Sequence, residues 1–284
     1  MSKDSNCNIE IVNKAENEIK EINELNEVIL QTVKLTKKFG GLIAVNNFDL
    51  KVNRGEISSL IGPNGAGKTT VFNVVTGIYQ ADGGKVVFKG EDLAGKKPHQ
   101  IVEKGIARTF QNIRLFNNMT CLENVMAGKH CRSKEGVGSS IFRTFSQRKE
   151  ESEIREIAKR RLQQVGLWKY RDELAKNIAY GNQRMLEIAR ALASNPNLLI
   201  LDEPSSGLND KESEDLVKFL RDLLKENLTI LLIEHDMNVV MGISDWVTVM
   251  DEGKKIAEGK PEEVYHNPIV IEAYLGKEEE EEEG

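Results

Sequence analysis

Cysteine is almost missing from this chain. Cys7, Cys121 and Cys131 are the only three in 284 residues, and none stands at CxxC spacing. So odd and sparse a set excludes a disulfide scaffold and fits a reducing compartment with free thiols. Proline is scarce too, at six residues, which excludes a collagen-like chain. No run of about 18 apolar residues occurs, so no transmembrane helix is expected. Met1 to Glu10 is polar and lacks an apolar signal core, so secretion is not expected. The four histidines, His99, His130, His235 and His266, lie too far apart to suggest a metal cluster. What is there is ordinary: 39% hydrophobic and 30% charged residues, a soluble globular balance that excludes a wholly disordered chain. The length suits one large domain or two small ones.

The net charge of −6 belongs to the ends. Residues 1–30 hold seven acids against three bases, and Glu278 to Glu283 are six consecutive glutamates. The body between them carries 36 bases and 32 acids. That weak positive balance suits anionic phosphates without deciding anything. The segment 277–284 that holds this run reads as a solvated acidic tail. Ile19, Ile22, Leu25 and Ile29 recur at helical spacing, so 1–30 reads as an acidic extension with a short amphipathic helix outside the main fold.

From residue 31 short apolar runs alternate with helical patterns. Strands are expected at Gln31–Leu35, Phe48–Val52, Glu56–Ile61, Lys85–Phe88, Leu198–Leu201, Thr229–Ile233 and Trp246–Met250. The runs Leu198–Leu201 and Ile230–Ile233 are apolar on both faces, as in central strands of a parallel sheet covered by helices. Helices are expected at Lys68–Thr76, Glu212–Lys225 and Met237–Ile243. This alternation predicts an α/β fold. About 112–195 lacks strand signals, and Ile154, Ile157, Ala158, Leu162 and Val165 mark an amphipathic helix ending at Gly166. A helical subdomain inserted in an α/β core is the expected picture.

The sharpest local pattern is Gly62-Pro63-Asn64-Gly65-Ala66-Gly67-Lys68-Thr69-Thr70, between an expected strand and an expected helix. Gly62, Gly67, Lys68 and Thr69 match the spacing G-x-x-x-x-G-K-[ST] of a phosphate-binding loop. Backbone N–H groups must meet the phosphate oxygens, and a Cβ would obstruct that approach. The helix behind adds free amides and a positive dipole end. Lys68 can neutralise β- and γ-phosphates, and the Thr69 hydroxyl can ligate Mg²⁺. Farther on, Leu198–Leu201 ends in Asp202 and Glu203. In α/β sheets such strand ends face the ligand crevice. Asp202 can therefore reach a Mg²⁺ shell, and Glu203 can orient or activate a water against the γ-phosphate.

Four further pieces complete one pattern. They are Gln111 within Ala107-Arg108-Thr109-Phe110-Gln111, then Ile178-Ala179-Tyr180-Gly181-Asn182-Gln183-Arg184, then Ser205-Ser206-Gly207-Leu208-Asn209, and His235 in Ile233-Glu234-His235-Asp236. In this order they resemble the nucleotide-binding domain of ABC ATPases over about residues 30–275. The match is closer still to ATPase subunits of branched-chain amino-acid importers. That likeness rests on Ala107 to Phe116, Met119 to Val125, the helical insertion at about 129–150, and Pro268 to Gly276. A urea or amide importer ATPase would share much of this.

The resemblance implies a P-loop NTPase core of the ABC type over 31–276, with an antiparallel β subdomain and the inserted helical subdomain. It implies ATP and Mg²⁺ as ligands, with Thr69, Gln111 and Asp202 toward the metal. Glu203, His235 and Gln111 would be the catalytic group. Phe39, 23 residues before Gly62, would stack on adenine, its alternative being a core ring at a strand end. Lone, His235 would read as a structural histidine and Gln111 as a surface residue; the order of motifs favours function. The turn Ala179, Tyr180, Gly181 and Asn182 would cover the ATP of a second ATPase subunit, the same chain or a different one. The family further implies hydrophobic permease subunits, an external solute-binding protein, a peripheral place on the cytoplasmic face of the membrane, and no nucleic-acid partner.

The chain departs from the general pattern at four positions. Ala179 stands where a serine is usual and Asn182 where a glutamine is frequent. Asn209 replaces a common aspartate, and Asp210 stands where the importer subgroup tends to have proline. Ala179 reads as a trait of that subgroup. Two other function classes remain open at this point. One is a soluble ABC ATPase acting as a switch without a permease, and the other is an ATP-binding protein that does not hydrolyse.

Overall fold

Strand β1 (Val28–Phe39) turns at Gly40 and Gly41 into β2 (Leu42–Asn53). Gly40 has φ +58°, a left-handed value that glycine adopts without penalty. The register of β1 shifts between Thr32 and Leu35, and Lys34 there is left-handed. Thr32 repairs the irregularity: its buried Oγ1 donates to Phe48 O and accepts from Leu50 N–H, both at 2.9 Å. With β4 (Gly83–Phe88) and β5 (Glu91–Asp92) these strands form an antiparallel sheet in the order β2-β1-β4-β5.

The second sheet is built from β3 (Ile57–Ile61), β6 (Ile106–Arg108), β7 (Leu198–Asp202), β8 (Thr229–Ile233), β9 (Trp246–Asp251) and β10 (Lys254–Gly259). Its order is β10-β9-β3-β8-β7-β6, parallel except for the edge hairpin β9–β10. Every residue of β3, β7 and β8 is buried, as their two-sided apolar runs require. One face packs with α1 (Lys68–Val75) against the antiparallel sheet, around Phe48, Phe72 and Phe88. The other face is covered by α5 (Tyr180–Ala193), α6 (Asp210–Leu224) and α7 (Met237–Ile243) through Ile188, Leu192, Leu216, Leu220 and Val239. Among the described residues the other α-helices are α2 (Pro98–Lys104), α3 (Cys121–His130), α4 (Phe145–Gln164) and α8 (Pro261–Tyr265).

A third apolar cluster joins α3, α4 and α5 through Val125, Ala158, Leu162, Leu186 and Ala189. Helix α5 therefore has two buried faces, one on the sheet and one in the helical layer.

This computed structural model describes residues 27–130 and 145–274. The expected acidic tail, residues 1–26 of the extension, and most of the insertion read at 129–150 lie outside the described residues, as do Cys7 and Cys131. One expectation needs correction. The helical spacing ending at Ile29 does not hold there, because Ile29 and Leu30 are buried members of β1, facing the first apolar cluster. Strands β5, β6 and β10 and helices α2, α3 and α8 were not anticipated. The three-residue β6 is too short to show a period, and it is an edge strand held by its neighbour β7.

Candidate functional site

The parallel register brings three strand ends to one level. Leu60 of β3 and Asp202 of β7 both pair with Ile233 of β8. Gly62, Glu203 and Glu234 therefore follow at the same rim, and β6 delivers Gln111 to that rim three residues beyond Arg108.

The loop after β3 is fixed by backbone. Gly62 has φ +147°, and a Cβ there would stand 1.9 Å from Met250 O; at Gly67 (φ +104°) it would stand 2.3 Å from Ala44 O. At Gly65 (φ +78°) a Cβ would meet nothing within 4 Å. The obstacle that demands glycine at Gly62 and Gly67 is thus the main chain of β9 and β2, in addition to any phosphate. Gly253 N–H donates to Ala66 O at 2.9 Å and pins the loop's middle to the β9–β10 turn. Pro63 is buried, while Asn64, Thr69 and Gly65 are exposed and Thr70 half-buried. Lys68 Nζ donates to Gly62 O (2.6 Å) and Pro63 O (2.9 Å), so its charge is held under the loop. Gly67 gives α1 no side-chain cap, which suits the first amides to an anion.

Asp202 and Glu203 are neighbours with opposite surroundings. Asp202 is buried, and its Oδ2 accepts from Arg108 Nη2 at 2.8 Å. Arg108 also donates to Asn73 Oδ1 (2.8 Å) on the first helix and to Thr76 Oγ1 (3.2 Å) at its C-cap, and lies over the Phe72 and Phe110 rings. Glu203 has φ +47°, a strained value for a residue with a side chain, held by its N–H bond to Ile233 O at 2.9 Å. Its Oε2 accepts from Gln111 Nε2 at 2.9 Å and lies 3.7 Å from His235 Nδ1. The structure thus brings Gln111, Glu203 and His235 together from three separate strand ends.

Behind them sits Glu234, fully buried. Its Oε1 accepts from Ser205 N–H at 2.9 Å and from the Ser205 hydroxyl, and its Oε2 accepts from His235 N–H at 3.3 Å. Burial pushes this carboxyl above its ordinary 4.5, against the two Ser205 bonds. Arg108 and Glu234 are functional-rim residues that sequence reasoning missed. A charged residue at or just beyond the end of a buried strand was the available signal in both cases.

The turn Ala179–Asn182 opens α5. Ala179 is its cap, extended (φ −58°, ψ 154°), exposed and without a side-chain hydrogen bond. The Tyr180 ring stands against Gly207, and Gly181 faces Glu212 Oε1. Asn182 is half-buried behind them. Asn209 caps α6 reciprocally: its Oδ1 accepts from Glu212 N–H and Glu212 Oε2 accepts from Asn209 N–H. An aspartate would cap equally, and Asp210 adds favourable charge in the first turn, so both departures fit locally.

Phe39 ends β1 at 42% exposure, which rules out the core-ring alternative. Tyr79 meets it edge-on with centroids 5.2 Å apart, and Lys37 Nζ, paired with Asp82, lies 5.3 Å from its centroid.

Among the described residues no group of three or more His, Cys, Asp or Glu could hold a metal by itself. Asp202 with the Thr69 hydroxyl and Gln111 is a sparse oxygen set. It fits Mg²⁺, which takes one or two carboxylates and completes its shell with water and substrate phosphates. No helix among the described residues is long and apolar enough to cross a membrane.

Comparison with known proteins agrees with this architecture. The family described as ABC transporter matches residues 45–206, and the family described as branched-chain amino acid ATP-binding cassette transporter matches 254–280. The chain is 47% identical over 250 residues to the high-affinity branched-chain amino acid transport ATP-binding protein BraF of Pseudomonas aeruginosa, covering 88% of this chain and 98% of that one. It is 46% identical over 254 residues to the corresponding protein LivG of Escherichia coli K12, covering 89% and 100%. Among solved structures, the ADP conformation of an ATP-binding cassette of an ABC transporter superposes with a TM-score of 0.77 at 35% identity, covering 88% of this chain and 99% of that one.

Proposed function

The chain belongs to the ABC transporter ATP-binding family, and on that premise we propose that it binds MgATP at the loop 62–70 and hydrolyses it with Glu203, Gln111 and His235. It is an ATPase subunit that energises a membrane importer, and the names of its relatives support branched-chain amino acids as the solute class.

The γ-phosphate is met by Lys68 and the loop amides, within reach of the rim where Glu203 stands. Glu203 holds the attacking water and takes its proton. His235, beside the same carboxylate, keeps that side chain and the phosphate in line. Gln111 reports whether the γ-phosphate is there, because its amide already bonds Glu203. Asp202 and Thr69, with Gln111 toward it, would hold Mg²⁺, which would supply charge neutralisation to the nucleotide's phosphates. Phe39 offers its exposed face to adenine.

The exposed Ala179-Tyr180 turn supports a site completed by a second ATPase subunit, with that turn covering the partner's nucleotide. Hydrophobic permease subunits would hold the pair at the cytoplasmic face of the membrane, and an external binding protein would supply solute.

The observation that carries this reading is the 2.9 Å contact between Gln111 Nε2 and Glu203 Oε2, with His235 alongside. Its test is Glu203→Gln in the reconstituted transporter. Turnover should fall about a hundredfold or more while ATP still binds and holds the paired subunits closed. Ordinary turnover by that variant would remove Glu203 from the chemistry.

A further inference from the structure

Arg184 is a large, fully buried side chain, on the second turn of α5. Its Nη1 donates to Phe110 O and its Nη2 to Gln111 O, both at 2.9 Å. Nη2 also reaches the Tyr180 hydroxyl at 3.3 Å, and Nη1 lies 3.4 Å from Glu187 Oε2. Glu187, equally buried, accepts from Arg114 N–H at 3.1 Å, with Arg190 Nη2 3.8 Å from the same oxygen. One helical turn thus grips both ends of the segment 110–114. The guanidinium holds the carbonyls at its start, and the carboxylate holds an amide at its end.

Taking two charges out of water is costly unless hydrogen bonds satisfy them. A helix that merely needed anchoring would use apolar residues, as α5 does at Ile188 and Leu192 against the sheet. Here the partners are main-chain atoms of the loop that carries Gln111. Such bonds set the position of the backbone and therefore where the Gln111 side chain begins. The planar fork of arginine can serve two carbonyls at once, which a lysine ammonium on a flexible stem does poorly.

We propose that Arg184 and Glu187 are positioning residues that lock segment 110–114 to the first turns of α5, so that the Gln111 loop and the Tyr180-Gly181 turn move as one body. This rests on the reading of Gln111 and of the 179–182 turn given above. A shift of the Gln111 side chain against Glu203 is then transmitted to the turn that covers the second subunit's nucleotide. The same lock works in reverse when the second subunit engages that turn.

The test uses the full chain with Cys7 and Cys131 replaced by serine and spin labels on Lys51→Cys in β2 and Arg155→Cys in α4. Distances are measured by pulsed electron resonance with MgATP and with MgADP. In this parent chain ATP should shift the distance distribution. In Arg184→Gln that shift should vanish while ATP affinity stays within about twofold, and in the assembled transporter kcat should fall about tenfold at little-changed KM. Arg184→Lys should restore part of the shift, and Glu187→Gln should weaken it. Thermal unfolding of each variant separates these effects from loss of structure; should Arg184→Gln not fold, Arg184→Lys and Glu187→Gln decide. A parent-sized ATP shift in folded Arg184→Gln, or in both other variants, overturns the lock alone. No ATP shift in the parent itself overturns the reading of the Gln111 loop, and the lock with it.

Discussion

The phosphate loop and the Gln111 loop rise from the same rim of the sheet but are held by different means. The first is fixed by main chain: two left-handed glycines press against Met250 O and Ala44 O, and Gly253 N–H ties Ala66 down. The second is fixed by buried side-chain charge, with Arg108 on Asp202 at its root and Arg184 with Glu187 along its length. Main-chain fixation gives a rigid cradle. Fixation by Arg184 and Glu187 ties the second segment to a helix instead of to the sheet, so on the proposed reading it moves with the first turns of α5.

The comparison breaks most completely at Gly62. Gly62→Ala places a Cβ 1.9 Å from Met250 O on a backbone with φ +147°, so steric overlap and strain act together. The expected loss exceeds about 4 kcal/mol, with unfolding or loss of ATP binding. Gly65→Ala is the control, since its Cβ meets open space and only the φ of +78° costs, about 1–2 kcal/mol. Thermal melts and nucleotide titration of the two variants check this. Equal losses would mean that conformation, not packing on β9, sets the requirement.

Next in size is Arg108→Ala. It leaves the Asp202 carboxylate buried without its charge partner, and such a change typically costs about 3–5 kcal/mol. Arg108→Ala with Asp202→Asn should recover much of that stability while remaining unable to support hydrolysis. Chemical denaturation of the single and double variants measures the coupling.

These two cases also show what the sequence made legible. The glycine spacing and the apolar runs of β3, β7 and β8 are local patterns with a local cause, so loop and central sheet could be read directly. Arg108, Arg184, Glu187 and Glu234 are ordinary charged letters until the fold buries them, and each has a decisive partner 29 to 94 residues away. Length failed as a guide at β6, where three residues are strand only because β7 lies alongside. Ile29 was misread because its helical spacing with Leu25 is also compatible with the start of a strand, and the packing around Phe48 and Phe88 decides between them.

A smaller effect separates the side-chain-held region by pH. Burial raises the Glu234 carboxyl above 4.5, so the folded chain keeps that proton to higher pH than the unfolded chain does. Stability from this group is therefore fully present below about 4.5 and declines as pH rises through the folded value. Glu234→Gln should remove that decline, since the amide cannot ionise and its oxygen still accepts from Ser205 N–H. Denaturation of both chains from below pH 4.5 upward should show the native chain losing stability relative to the variant as pH rises. Parallel curves would place Glu234 outside the titration.

The smallest expected change tests the turn that opens α5. Ala179 already has the extended backbone of a helix cap but contributes no side-chain bond. In Ala179→Ser the new hydroxyl can accept from the Gly181 or Asn182 amide, a gain of about 0.5–1 kcal/mol, or about 1–4 °C in melting temperature. Because Ala179 is exposed, no packing opposes the added oxygen. Hydrolysis by the assembled transporter should stay level or rise, since the turn keeps its seat on Gly207 and Glu212. A large loss of turnover in a stabilised variant would mean that the turn must stay uncapped to move with the Gln111 loop. The contrast between a rigid cradle and a responsive lock would then extend to the first residue of the helix.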